Sequence, residues 1–129
     1  MRIKEICLSL LLVCATLVIP GCAAAIVGVG AAGTVAYIKG DLEAEESKSI
    51  NAVYAATKKA VNQLGLIVTE DNKDAMTAVI VSHDVEGKTI TIKLKSATEK
   101  TTKLSIRVGL FGSKRKSALI YQKIHDNLR

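Results

Sequence analysis

Ile19-Pro20-Gly21-Cys22 is the stretch in which residue type and spacing point to a definite reaction. An apolar residue three places before a cysteine, with a small residue directly before it, has the form of a lipobox. At this signal bacteria attach diacylglycerol to the thiol as a thioether and cut the chain between Gly21 and Cys22. The upstream residues fit. Arg2 and Lys4 make a short positive region, and Ile6 to Ile19 make an apolar run of 14 residues that Pro20 and Gly21 break. A bilayer core requires about 20 residues, so residues 1–21 read as a cleavable lipoprotein signal peptide rather than a spanning helix. Ala23 to Ala36 is also apolar and would extend the run only if the cut failed. Cys14 is a poorer acylation site, because Val13 before it is too bulky for the peptidase. Cys7 and Cys14 fall in the discarded segment, so Cys22 is the one cysteine expected to remain, its sulfur is committed, and no disulfide is expected. Acyl chains contribute about 0.8 kcal/mol per buried methylene, which makes attachment through Cys22 effectively permanent.

Other candidate chemistry is weaker. Gly28, Gly30 and Gly33 match G-x-G-x-x-G, with Glu45 or Glu46 near the distance of a ribose-binding acid. A dinucleotide fingerprint needs a strand before it and a helix opening at its last glycine. Here Thr34 to Ile38 reads as a strand and Cys22 lies six residues before Gly28, so residues 22–33 read as a lipidated Ala/Gly tether and no cofactor is expected. Asp41, Glu43, Glu45 and Glu46 form an acidic run, read as a solvated strand end, since no His or Asp joins them at ligand spacing. His83 and His125 stand alone in their segments, without the partners a zinc site requires. No G-x-S-x-G elbow occurs. No catalytic residue and no metal ligand is therefore assigned, and the chain is not expected to be an enzyme.

The 18 Lys and Arg outnumber the 12 Asp and Glu; losing Arg2, Lys4 and Glu5 with the signal peptide leaves the remainder near +5. A basic balance favours anionic neighbours such as headgroups or envelope polymers. Four aromatics, Tyr37, Tyr54, Phe111 and Tyr121, are too few for a base-stacking platform, and nucleic acid is not an expected partner.

These residues must be positioned by one domain, residues 34–129. A strand is predicted from Thr34 through Ala44, with Gly40 as a bulge or bend. Ser47 or Ser49 can cap a helix in which Ile50, Val53, Tyr54, Thr57, Val61 and Leu64 form one stripe, ended by Gly65. Leu66 to Glu70 reads as a short strand running into a turn at Asp71-Asn72-Lys73-Asp74. Met76 to Val85 reads as a strand closed by a two-residue turn at Glu86-Gly87. In Lys88–Ser96 and Thr102–Val108, apolar Ile90, Ile92, Leu94, Leu104, Ile106 and Val108 alternate with polar residues, so one face is buried and one is wet. Ser117, Ile120, Tyr121, Ile124 and Leu128 give a C-terminal helix an apolar stripe. The expected fold is an α+β two-layer sandwich: an antiparallel sheet of about five strands, two helices on one face, in the order β-α-β-β-β-β-α. Gly109-Leu110-Phe111-Gly112 is expected to be a tight connection that buries Phe111 against Tyr121; the alternative is a flexible loop whose exposed apolar residues insert into a partner or the membrane.

The lipobox, the Ala/Gly tether, Val35-Ala36-Tyr37-Ile38-Lys39-Gly40-Asp41-Leu42, Ile90 to Leu94, and Ser105 to Gly112 together resemble a family of small bacterial lipoproteins of unknown function. The resemblance covers nearly the whole chain. It implies an envelope location and brings no activity. Ala23, rather than Asp, after the cysteine implies by the sorting rule of such lipoproteins an outer-membrane position facing the periplasm.

Alternation predicts that Lys88, Lys93, Lys95, Lys103 and Arg107 gather on the wet face, and Lys114, Arg115 and Lys116 open the last helix. Cations at a helix N-terminus oppose its macrodipole, which suggests an anion held there. The expected function is a non-enzymatic envelope module, attached to membrane lipid through Cys22, that contacts an anionic envelope polymer or an envelope protein with this basic surface. The alternative is a small-ligand carrier or enzyme using a pocket between helices and sheet.

Overall fold

Period-two burial runs through four strands that lie side by side in the computed structural model, and it builds one sheet with one covered face. The structure describes Ile3 and residues 35–129; Gly21, Cys22, the tether and its glycines lie outside the described residues. The order is β1 (Val35–Ile38), β2 (Asp41–Glu46), α1 (Ile50–Gln63), β3 (Ile67–Lys73), β4 (Thr77–His83), β5 (Thr89–Thr98), β6 (Thr101–Val108) and α2 (Lys114–Asp126). All neighbouring strands pair antiparallel, in the spatial order β1-β2-β6-β5-β4-β3. The class is α+β as expected, with six strands rather than five.

The extra strand comes from a turn that the sequence reading treated as a bend. Lys39 (φ +51°) and Gly40 (φ +93°) both adopt positive φ, the requirement of a two-residue type I′ hairpin. Lys-Gly does this in place of the commoner Asn-Gly. The chain therefore folds back at Gly40, and β1 becomes an edge strand beside β2. Two other boundaries differ. Asp71, Asn72 and Lys73 continue β3, because they pair with Ile80, Val79 and Ala78. The turn itself is held by Asp74, whose Oδ1 accepts from the amides of Met76 (2.7 Å) and Thr77 (2.8 Å). The β4–β5 connection spans residues 84–88 rather than two, and Asp84 Oδ1 accepts from the amides of Glu86 and Lys88, both at 2.9 Å.

Both helices fall where the stripes place them. Ser49 caps α1 by accepting from Ala52 N, and the far end closes with Gly65 N donating to Asn62 O and Leu66 N to Val61 O, a Schellman pair that needs the positive φ of Gly65. Ser113 caps α2. The helices touch each other and lie on the same face, α1 chiefly over β3 to β6 and α2 over β2 and β6. Val53, Ala60 and Val61 of α1 and Ile120 and Ile124 of α2 bury against Leu42, Ile80, Ile92, Leu94, Leu104 and Ile106. The space between helices and sheet is thus occupied by aliphatic side chains.

Register gives the sheet two ends. One carries Ile38, Asp41, Ile67, His83, Thr89 and Val108; the other carries Val35, Glu46, Lys73, Thr77 and Thr101. Among the described residues no helix is long and apolar enough to cross a membrane.

Candidate functional site

The sheet face opposite α1 and α2 is a grid whose rows are set by register. Asp41, Arg107 and Thr91 share one row, Glu43, Ser105 and Lys93 the next, and Glu45, Lys103 and Lys95 the third. Alternation in β5 and β6 forces Lys93, Lys95 and Lys103 outward together, because Ile92, Leu94 and Leu104 between them are buried. The surface is mixed rather than uniformly basic: β2 lays three carboxylates directly beside the cations of β6. In isolation the acidic run looked like a strand end; its position next to β6 is a fact of sheet order.

Lys95 and Lys103 are cross-strand partners. Like charges directly opposite one another on an antiparallel pair destabilise it, so this pair favours a counter-charge between them. Glu45, across β6, faces Lys103 and offsets it from one side. Beside these residues lies a depression of about 340 Å³ lined by Ala36, Glu43, Glu45, Lys93, Lys95 and Lys103, with Ala44, Leu104 and Ser105 completing its walls. Ala36 on the edge strand leaves it open. A smaller one, about 130 Å³, adjoins it among Asp41, Thr91, Lys93, Ser105 and Arg107. The chemistry available is recognition of an anionic group by lysine ammonium groups, with acids at one rim that would accept from a donor.

The remaining predicted contacts separate from this group. Arg107 is engaged: its Nη1 donates to Asp41 Oδ1 at 3.0 Å, and its Nη2 donates to the carbonyls of Leu110 (3.2 Å) and Lys39 (3.5 Å). It ties the β1–β2 turn to the β6–α2 loop. Lys116 is engaged too, donating to Asp84 Oδ2 (2.9 Å) and Glu86 Oε2 (2.7 Å) of the β4–β5 turn. The anion expected at the helix start is therefore the protein's own. Lys116 holds the carboxyls of Asp84 and Glu86 below the usual carboxylate range, and they raise its ammonium in return. Lys114 and Arg115 are exposed at the end of the sheet, away from the lysine depression. Phe111 is not buried against Tyr121: it is 88% exposed and Leu110 81%. The loop is tight for a different reason, since Gly112 packs on the backbone of Gly40, where an added Cβ would sit 2.1 Å from the Gly40 carbonyl oxygen.

A polar cluster that the sequence reading missed lies under α2. Glu46 is 2% exposed rather than solvated, and its Oε1 is 3.0 Å from His125 Nδ1. Burial, with a hydrogen bond to Glu46 second, raises the Tyr121 phenol well above the ordinary tyrosine range. His125 is thus not alone. The signal was available: Glu46 is in phase with Leu42 and Ala44, the buried positions of β2. On the other helix, Asp71 accepts from Tyr54 Oη (2.7 Å) and from Lys58 Nζ, and these two donors, Lys58 first, hold its carboxyl low. His83 Nε2 lies 3.2 Å from Thr89 Oγ1. Among the described residues no group of three or more His, Cys, Asp or Glu is placed to hold a metal ion.

One family model, described as "Protein of unknown function (DUF3568)", matches residues 5–127. No curated protein matches the chain.

Proposed function

The chain belongs to the DUF3568 family, and from that premise we propose that it is a lipid-anchored bacterial envelope protein, a non-enzymatic binding module. Cys22, acylated after cleavage at Gly21, holds it to the membrane, facing the periplasm from the outer membrane. The open sheet face contacts an anionic envelope polymer or an acidic surface of an envelope protein. The observation that carries the contact is the Lys95–Lys103 pair, opposed in register beside Lys93 on the face that neither α1 nor α2 covers. Ile19-Pro20-Gly21-Cys22 and the positive, apolar leader support the anchor. The aliphatic filling between helices and sheet supports the open face, rather than an interior pocket, as the place of contact.

Two measurements test the two halves. The chain isolated from a bacterial envelope should start at Cys22 and carry the mass of its acyl chains, whereas Cys22→Ser should stay unacylated and leave the detergent-extracted membrane fraction. Retention of the serine variant at unaltered mass sinks the anchor. Reversing Lys93, Lys95 and Lys103 to Glu should abolish capture by anionic envelope polymers or acidic envelope proteins at low salt, and unchanged capture removes the contact surface. Arg107 is left intact in this variant, because it braces two loops.

A further inference from the structure

Most of the exposed large apolar side chains of residues 35–129 collect at one end of the sheet; Met76 lies at the other end and Leu119 on α2. Ile38, Ile67, Val85, Leu110 and Phe111 all lie at one end of the sheet, where β1 turns into β2, β3 begins, β4 turns into β5 and β6 runs into α2. Val85 is 96% exposed, and Leu110 and Phe111 project nearly as far. Loops run over the surface and are ordinarily polar; three exposed apolar loop residues, Val85, Leu110 and Phe111, together with the apolar strand ends Ile38 and Ile67, mark a contact surface at this end. The tips are braced from beneath by Arg107 and by the close backbone approach of Gly112 to Gly40.

The charges around them choose the occupant. Lys116 and Lys88 are engaged by Asp84 and Glu86. Lys39, Lys114 and Arg115, exposed beside the same tips, have no acidic partner among the described residues. Apolar tips ringed by free cations complement an anionic bilayer, in which the tips enter the boundary of headgroups and acyl chains while the cations meet phosphates. We propose that this end of the domain docks on the surface of an anionic lipid bilayer, with Leu110 and Phe111 as the inserted pair. The strands then stand upright on the membrane, and the Lys93, Lys95 and Lys103 face is presented sideways to a partner. The docking stands on the described residues and does not require the lipid on Cys22.

The chain contains no tryptophan, so Phe111→Trp and, at the opposite end, Met76→Trp each give a single reporter. The full chain is reconstituted in vesicles of phosphatidylcholine with brominated acyl chains, with and without phosphatidylglycerol. The reporter at 111 should be blue-shifted and quenched in the anionic vesicles and much less so in the zwitterionic ones, while that at 76 stays in water in both. Neutralising Lys39, Lys114 and Arg115 to Gln should lower the ratio of docked to undocked domain by about fivefold per cation. Equal absence of quenching at 111 and 76 in anionic vesicles overturns the proposal. So does a blue shift at 111 that grows with protein density without quenching, which would assign this end to a second copy of the chain. The anchor is read separately from the acyl mass on Cys22, so either proposal can fail without the other.

Discussion

Glu46 and His125, 79 residues apart, meet at 3.0 Å between the last position of β2 and the last turn of α2. The carboxylate is nearly out of reach of water, and the ring is about a fifth exposed. A buried polar group is costly without its partner. The contact therefore locks α2 to the sheet at the end opposite the apolar tips, and Tyr121, one helical turn before His125, covers it with its ring 5.8 Å from the imidazole.

Removing either side should be felt. Glu46→Ala should cost about 2 kcal/mol of unfolding free energy, measured by urea denaturation, and Glu46→Gln should recover part of it by keeping a hydrogen-bonding group. A loss below a few tenths of a kcal/mol for the alanine variant would show that the pair does not hold the helix.

Tyr121 gives that cluster a pH signature. Its phenol is raised in the folded state, so the folded protein holds this proton longer than the unfolded chain. The stability that goes with it is complete below about pH 10, the ordinary tyrosine value, and is lost as pH rises toward the folded value. Tyr121→Phe should flatten the alkaline fall of Tm.

Asp71 has the opposite sign. Its carboxyl is lowered by Lys58 and Tyr54, so its contribution is present above about pH 4, the ordinary aspartate value, and disappears as pH falls through the folded value. Asp71→Asn should lower Tm by roughly 2 to 4 °C at neutral pH and have little effect under acid conditions where the wild-type carboxyl is protonated.

Gly112 and Gly65 share a positive φ, at +79° and +67°, and differ in space. A Cβ on Gly65 meets nothing within 4 Å, whereas one on Gly112 collides with the Gly40 backbone. Gly65→Ala should cost about 1 kcal/mol, the backbone term alone. Gly112→Ala should cost well beyond that and separate the two loops that Arg107 joins. Equal losses in thermal melts would refute the close packing.

Lys95→Glu separates contact from stability. Opposed to Lys103, a carboxylate replaces repulsion with attraction and should stabilise the free domain by about 0.5 kcal/mol. The same substitution should weaken capture of polyanions. Stability and capture moving together would mean that the lysine pair serves the fold alone.

The helices and the inner strands were legible because their signals are local. Ile50 to Leu64 and Ser117 to Leu128 repeat at the helical period, and Ile90 to Val108 alternate at the strand period, whatever lies across from them. The β1–β2 hairpin was missed because Lys39 takes a left-handed conformation without the usual Asn or Asp to announce it. Glu46 was missed because its charge was weighed above its phase with Leu42 and Ala44. Phe111 was misplaced because hydrophobicity sets the cost of exposure and says nothing about whether a neighbour is within reach.

Sequence by itself determined the layers of this protein: which residues face the core, where the helices begin and end, and which lysines leave the sheet on its open side. Tertiary structure alone decided adjacency. That β2 borders β6, so that three acids flank the lysine face, that Lys95 opposes Lys103, and that four connections bring their apolar tips to one end all follow from strand order and register. Side-chain direction is fixed by backbone geometry over a few residues, whereas pairing between segments tens of residues apart is fixed only when the whole core closes.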